Sequence, residues 1–234
     1  VGVAVVDVMT GVYATSAILA ALHERHRTGR GAHIDMALLD VQVAMLANQA
    51  SNHLVGGRVP KRLGNAHANI VPYQVFATAD GHIVLAIGND AQFAKLCALV
   101  GQAAVARDAR FATNAQRVAQ RAELVPMIAG WMLARGTEEW VGALDACGVP
   151  CAPIRDIAQV FESAQVRARG MQVALETADG RDMPGVASPV VFDGRRAVAA
   201  QTPPALDEQG DAIRAALDAS PVWPPAEPKR GAGT

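Results

Sequence analysis

Val1-Gly2-Val3-Ala4-Val5-Val6-Asp7-Val8-Met9-Thr10-Gly11 opens the chain, and the apolar run continues through Ile18-Leu19-Ala20-Ala21-Leu22. Residues 1–6, almost all apolar and rich in β-branched valine, predict a buried extended segment, with a helix from residue 8 to about 27. Asp7 at the junction reads as an N-cap, since a side-chain oxygen there accepts from the orphan N–H groups of the first turn. The helix ends on His23, Glu24, Arg25, His26 and Arg27, followed by Thr28-Gly29-Arg30-Gly31. Cations in the last turn suit the negative pole of the dipole, and a glycine just beyond suits a left-handed cap. A short strand at residues 32–36 and a second helix at about 38–54 follow from the same periodicity arguments.

Gly56, Gly57 and Pro60 mark a break, and residues 61–72 read as an ordered polar loop. Residues 73–78 and 82–87 are two strands joined by Ala79-Asp80-Gly81, a strong hairpin signal. Helices are expected at 90–100, 114–134, 137–147 and 155–168. Beyond Gly170 the pattern changes to short strands at 171–175, 182–186 and 190–192 with Asp-Gly turns, then an extended stretch through Pro203-Pro204 and a helix at about 208–217. Residues 221–234, rich in Pro, Gly and charge, are expected to be poorly ordered. The first and last parts are each too thin to close a core alone.

Hydrophobic residues make up 51% of the 234 and charged residues 18%, with a net charge of -1, a globular composition without the basic excess of a nucleic-acid binder. Cys97, Cys147 and Cys151 form no CxxC pair, which argues against a disulfide framework or a zinc site and for a reducing, cytoplasmic setting. Cys147 and Cys151 read as small hydrophobes beside the Gly148-Val149-Pro150 turn, and Trp131 and Trp140 as core. The longest apolar stretch, residues 8–22, is shorter than the ~20 residues a membrane span needs, so no membrane partner is expected. The chain begins at Val1 within what reads as a core segment, and is expected to be a fragment of a longer protein.

Several motifs in order carry a family resemblance. They are Val6-Asp7-Val8-Met9-Thr10-Gly11, Thr28-Gly29-Arg30-Gly31, Ile34-Asp35-Met36-Ala37-Leu38-Leu39-Asp40, Gly64-Asn65-Ala66-His67-Ala68-Asn69-Ile70 with Pro72-Tyr73-Gln74-Val75-Phe76, Thr78-Ala79-Asp80-Gly81, Gly88-Asn89-Asp90, and Val166 to Met171 ahead of Ser188-Pro189. Together they resemble the family III CoA-transferases, which include formyl-CoA and carnitine CoA-transferases and the related α-methylacyl-CoA racemases. The resemblance implies an α/β fold: residues 1–50 end a Rossmann-like large domain, 51–64 link, 65–170 form a small α+β domain, and 171–220 return to the large domain. It also implies an interlocked homodimer, with much of the CoA-binding surface in a portion ahead of residue 1.

By the same resemblance Asp7 stands where the family places its catalytic aspartate. A carboxylate, the ionised form of Asp at neutral pH, can displace CoA from a thioester and form a mixed anhydride. Exchange between thioesters is close to energy-neutral, so no metal, redox cofactor or nucleotide is expected, coenzyme A thioester being the substrate and a carboxylic acid the acceptor. The residues alone favour an N-cap role, which only the resemblance outweighs, and the two roles are compatible. The 64–70 loop aligns with a glycine-rich loop over the active site, here carrying His67, Ala68 and Asn69; His67 or Asn69 is a candidate donor to the substrate carboxylate, or else a satisfier of local backbone. Leu38 falls at an apolar contact with CoA, though a core leucine fits it too. Asp90 falls near a glutamate of the racemases, where a helix cap is the other reading. Two further function readings remain: proton exchange α to the thioester with Asp7 as acid and base, and a catalytically incomplete piece. The cluster from His23 to Arg30 suits a phosphate site or a solvated helix end, and Arg117, Arg121, Arg167 and Arg169 are expected at the surface or an interface.

Overall fold

The computed structural model describes residues 2–177, 180–197 and 202–219. Its contacts group the chain into two units, Val1–Ile154 and Arg155–Thr234. Helices and strands are mixed in both, as the α/β class requires, and among the described residues every strand pair is antiparallel. The segment 221–234 lies outside the described residues.

Helix α1 runs Val5–Thr28 and begins earlier than expected. Ala4 is its N-cap, with Val8 N donating to Ala4 O at 3.1 Å, so Asp7 is the third residue of the first turn and not the cap. An extended start at residues 1–6 would need a neighbouring strand, and among the described residues none pairs with it. Placing Val5 and Val6 in the helix instead lets their carbonyls enter the hydrogen-bond ladder. The C-terminus follows the sequence: Gly29 adopts φ 73° and its N–H donates to Arg25 O at 2.8 Å. At 24 residues α1 is long and apolar enough to cross a membrane by length and composition, which the 8–22 run did not indicate. It packs against α2 (Leu38–Ala44).

The strand expected at 32–36 is absent, because no ladder partner stands beside it among the described residues. The second helix is broken into α2 and α3 (Asn48–Leu54) at Ala47, which takes φ 46°, a conformation alanine seldom adopts. No Gly or Pro in the sequence announces that break.

The buried core lies between Val71 and Val149. Strands β1 (Tyr73–Ala77) and β2 (His82–Ala86) pair in register Val75↔Val84, and the turn closes with Thr78 N donating to Gly81 O at 2.9 Å. Around them pack α4 (Asp90–Leu99), α5 (Ala103–Arg107), α6 (Asn114–Ala119), α7 (Arg121–Met132) and α8 (Thr137–Ala146). The sequence predicts a single helix over 114–134; it divides at Gln120, and α5 is additional. Strand β3 (Cys151–Pro153), also unforeseen, joins the free side of β2. Asp80 ties the hairpin to α8, its Oδ1 accepting from Thr137 N at 2.7 Å and Thr137 Oγ1 at 2.9 Å. Those bonds, the backbone one foremost, hold its carboxyl below the ordinary carboxylate value. Phe76, Ile83, Leu85, Phe93, Leu96, Leu124, Ile128 and Trp140 fill the centre, with Trp131 packed at its edge.

One charged side chain is fully buried among them. Arg117, expected at the surface, has 0% exposure. Its Nε donates to Val71 O at 2.7 Å, Nη1 to Phe111 O at 3.0 Å and Nη2 to Asp90 Oδ1 at 2.7 Å, while the guanidinium lies 4.5 Å over the Phe93 ring. A buried guanidinium is tolerated because these acceptors replace its water.

In the second unit α9 (Ile157–Glu162) and α10 (Ala164–Ala168) precede the hairpin of β4 (Gln172–Glu176) and β5 (Asp182–Val186). The two-residue strands β6 (Val191–Phe192) and β7 (Arg195–Arg196) are joined by Asp193 (φ 48°) and Gly194 (φ 77°), the double positive φ of a type I′ turn. Helix α11 (Gly210–Ala219) ends the described chain.

Two outcomes follow for the core. Arg117→Met leaves Val71 O and Phe111 O without their donor and should lower stability by about 3 kcal/mol, read as a fall in the denaturation midpoint with an unchanged m-value. Burial pushes the Cys97 thiol up to about 11, with the nearby Arg117 charge opposing the shift. Cys97 should therefore resist iodoacetamide at pH 8 in the native protein and react once unfolded. Because the folded pKa is raised, this thiol's contribution to stability is complete below pH 9 and lost between pH 9 and about 11.

Candidate active site

Asp7 is solvent-exposed in the first turn of α1, where unsatisfied N–H groups and the positive pole of the dipole favour a negative charge. Among the described residues no hydrogen bond or ion pair engages its carboxylate. Leu38 is the first residue of α2 and half exposed in this chain, at 50%. Asp7 and Leu38 thus stand on two helices that touch each other.

The other candidates belong to a second assembly, built around the loop ahead of β1. His67 N donates to Tyr73 O at 2.9 Å, and the imidazole stacks on the Tyr73 ring with centroids 5.4 Å apart. His67 Nδ1 accepts from Asn69 N at 3.1 Å, which assigns Nδ1 as the unprotonated nitrogen and places the ring proton of the neutral form on Nε2. Asn69 is differently disposed. Its side-chain amide forms a reciprocal pair with that of Asn52, at 3.1 and 3.2 Å, across from α3. Of the two donor candidates, His67 keeps its ring N–H unengaged among the described residues, while Asn69 commits its oxygen and one N–H to Asn52 and keeps the second N–H.

The loop backbone is gripped from α6 and α7. Arg121 Nη2 donates to His67 O at 2.6 Å and Ala68 O at 3.0 Å. Asn114 Nδ2 donates to Asn69 O at 2.9 Å, and its Oδ1 accepts from Val71 N at 3.1 Å. Arg117 takes Val71 O one bond further on. Arg121 is partly buried, its pKa lowered by desolvation, and its Nη1 is buried with no hydrogen-bond partner among the described residues. The sequence suggested surface or interface charges for both; within this chain Arg117 is buried and Arg121 is partly buried against the loop.

Asp90 ends this network. Asn89, not Asp90, caps α4, its Oδ1 accepting from Gln92 N at 2.9 Å; Asp90 holds Arg117. His67, Ala68, Asn69 and Asp90 are thus linked through Arg117, Arg121 and Asn114, and no hydrogen bond joins Asp7 to them among the described residues. Sequence reasoning missed Asn52, Asn114, Arg117 and Arg121. The signal for the arginines was there: 117, 121, 124, 128 and 132 fall at steps of three and four, the buried stripe of a helix.

Residues 1–210 match the family model described as CoA-transferase family III. The chain belongs to that family. It is 50% identical over 191 residues to a succinate–glutarate CoA-transferase of Agrobacterium fabrum, covering 82% of this chain and 48% of the relative. It is 38% identical over 209 residues to a succinyl-CoA:glutarate CoA-transferase of Mus musculus, covering 88% and 48%. Among solved structures, a CaiB/BaiF family protein from Brucella suis superposes with a TM-score of 0.73 at 45% identity, covering 93% of this chain and 56% of that one. The chain spans about half the length of the curated family III relatives it matches.

The grip on the loop is directly testable. Arg121→Met should cost ~1–2 kcal/mol, the loss of charge-assisted bonds to two carbonyls, and hydrogen exchange should quicken at the amides of residues 66–70 while those of β2 stay protected. Unchanged exchange in the loop would show that Arg121 does not hold it.

Proposed function

We propose that the whole protein is a CoA-transferase that moves CoA between an acyl-CoA and a carboxylic acid, with Asp7 as the nucleophile. The observation that carries this reading is Asp7 itself: an exposed, unengaged carboxylate in the first turn of an apolar helix, in a family III chain. The naming of its relatives as CoA-transferases supports the reaction class.

The chemistry follows from the carboxylate. Asp7 attacks the thioester carbonyl, the C–S bond breaks, and CoA leaves as the thiolate from a mixed anhydride. The thiolate returns to the aspartyl carbonyl, releasing the donor acid and leaving an aspartyl thioester. The acceptor carboxylate attacks that thioester to form a second anhydride and free the thiolate, which attacks the acceptor carbonyl and restores Asp7. Each step exchanges one activated acyl bond for another, so the cycle needs no cofactor. First-turn N–H groups of α1 are suited to stabilise the oxyanions formed at the aspartyl carbonyl. His67, with its proton on Nε2, serves as the loop's donor to the substrate carboxylate, and Leu38 as an apolar contact for CoA. Asp90 is bound to Arg117, which speaks against its use as an acid or base in α-proton exchange.

The protein works as a homodimer in the cytoplasm on this reading. Val8, Val12, Ile18, Leu19 and Leu22 of α1 are exposed in the chain, and such a face is stable in water only when covered. Its Gly11, Ala14, Ala17, Ala20 and Ala21 suit close helix packing better than a lipid contact. Incubating the protein with acyl-CoA and hydroxylamine should yield a hydroxamate at Asp7 by mass spectrometry. Asp7→Asn should lose at least about a thousandfold in kcat. An unmodified Asp7 together with deuterium uptake at the acyl α-carbon would replace transfer by proton exchange.

A further inference from the structure

A neutral histidine carries one ring proton, and the nitrogen that holds it decides what the side chain can donate. His67 Nδ1 accepts from Asn69 N at 3.1 Å. That N–H belongs to the peptide group joining Ala68 to Asn69. The oxygen of the same group, Ala68 O, accepts from Arg121 Nη2 at 3.0 Å. The peptide is trans, so it is planar with its C=O and N–H directed to opposite sides. A donor fixed on the oxygen therefore fixes where the N–H points, and Arg121 reaches the imidazole through a single peptide group. The same Nη2 holds His67 O at 2.6 Å, so the peptides on both sides of Ala68 are pinned. Among the described residues no carboxylate pairs with Arg121. Its charge falls on these carbonyls, and a cation at the oxygen strengthens the bond that the N–H donates. The plane of the ring is set separately, by the stack on Tyr73 with 18° between the rings.

We propose that Arg121 is a positioning residue: acting through the Ala68–Asn69 peptide, it holds His67 as the Nε2–H donor and sets where that N–H points. The inference rests on the reading that His67 meets the carboxylate of the acid substrate. In the other neutral tautomer Nε2 would present a lone pair to that carboxylate, so a ring free to exchange tautomers or to turn binds the acid less well.

The experiment uses the whole protein, isotope-labelled in its histidine rings, at about pH 8, where free imidazole is neutral. Long-range proton–nitrogen NMR correlation reports the tautomer, with His67 identified by the loss of its signals in His67→Gln. The ring should show the Nε2–H pattern alone. Arg121→Met should populate the Nδ1–H tautomer and draw the two nitrogen shifts together, and Arg121→Lys, which keeps a charged donor, should recover part of the pattern. Asn114→Ala frees Asn69 O and Val71 N but leaves the Ala68–Asn69 peptide untouched, and should keep the pattern. Steady-state rates are then taken with whichever of acetate, succinate and glutarate, each paired with the CoA thioester of another, is turned over fastest. Arg121→Met should raise the KM of the acid at least about fivefold and that of the acyl-CoA less than about twofold. With His67→Ala already in place, the same change should move the acid KM less than about twofold. An unaltered His67 pattern in Arg121→Met overturns the proposal, as does equal disturbance in Asn114→Ala, or a rise in acid KM that is as large without His67 as with it. An acid KM unmoved by His67→Ala alone removes instead the donor reading beneath the proposal, and shows that failure apart from the tautomer result.

Discussion

The folded core of this chain is organised by a guanidinium with no access to water. A buried arginine cannot shed its charge, so its surroundings must supply acceptors in the fork geometry that its N–H groups dictate. Arg117 finds them in three places distant in sequence: the carbonyl before β1, the carbonyl that precedes α6, and the first residue of α4. Three elements are thereby set against one another by directional bonds in a core that is otherwise aliphatic and aromatic. Hydrophobic burial drives the collapse of this module but leaves the offsets among its helices loosely specified. The guanidinium narrows that choice, and its carboxylate partner is half exposed, so only one of the two charges is fully desolvated.

From this anchor the candidate loop acquires its shape. Arg117 fixes Val71, Asn114 fixes Asn69 and Val71, and Arg121 fixes His67 and Ala68. All come from one stretch, Asn114 to Arg121, whose N-terminus is itself set by the Thr113–Gln116 capping box. A polar loop of this kind, without its own ladder, would be mobile if left to water. Here the stable module reaches out along one helical segment and holds the loop by its backbone.

Much of the architecture was legible in the sequence where local chemistry decides it. The Asp80-Gly81 hairpin, the Gly29 helix end, the Asp193-Gly194 turn and the helices after Asn89 and Gly136 all carry short-range signals, and they form as expected. What was not legible depends on partners. The extended segment ahead of Asp7 and the strand at 32–36 were inferred from composition, but a strand exists only beside another strand. Ala47 breaks a helix with no Gly or Pro to mark it. At the site the family motif placed Asp7, Leu38, the loop and Asp90, while the residues that hold the loop were passed over. Arginine was read as surface by type, although position on the stripe of Leu124 and Ile128 outweighs type when acceptors are available.

The way the loop is held bears on how specificity can change in such a fold. Arg121 and Asn114 bond to the carbonyls of residues 67–69, which every residue presents alike, and to the amide of Val71. Replacing His67 or Ala68 would change the side chains the loop presents without removing any of those bonds. Asn69 is the exception, because its side chain also closes the contact to Asn52 and so couples the loop to α3. Main-chain anchoring separates the cost of building the loop from the choice of side chains on it. A loop arranged in this way can change its side chains at two positions, while the buried arginine and the core beneath it stay as they are.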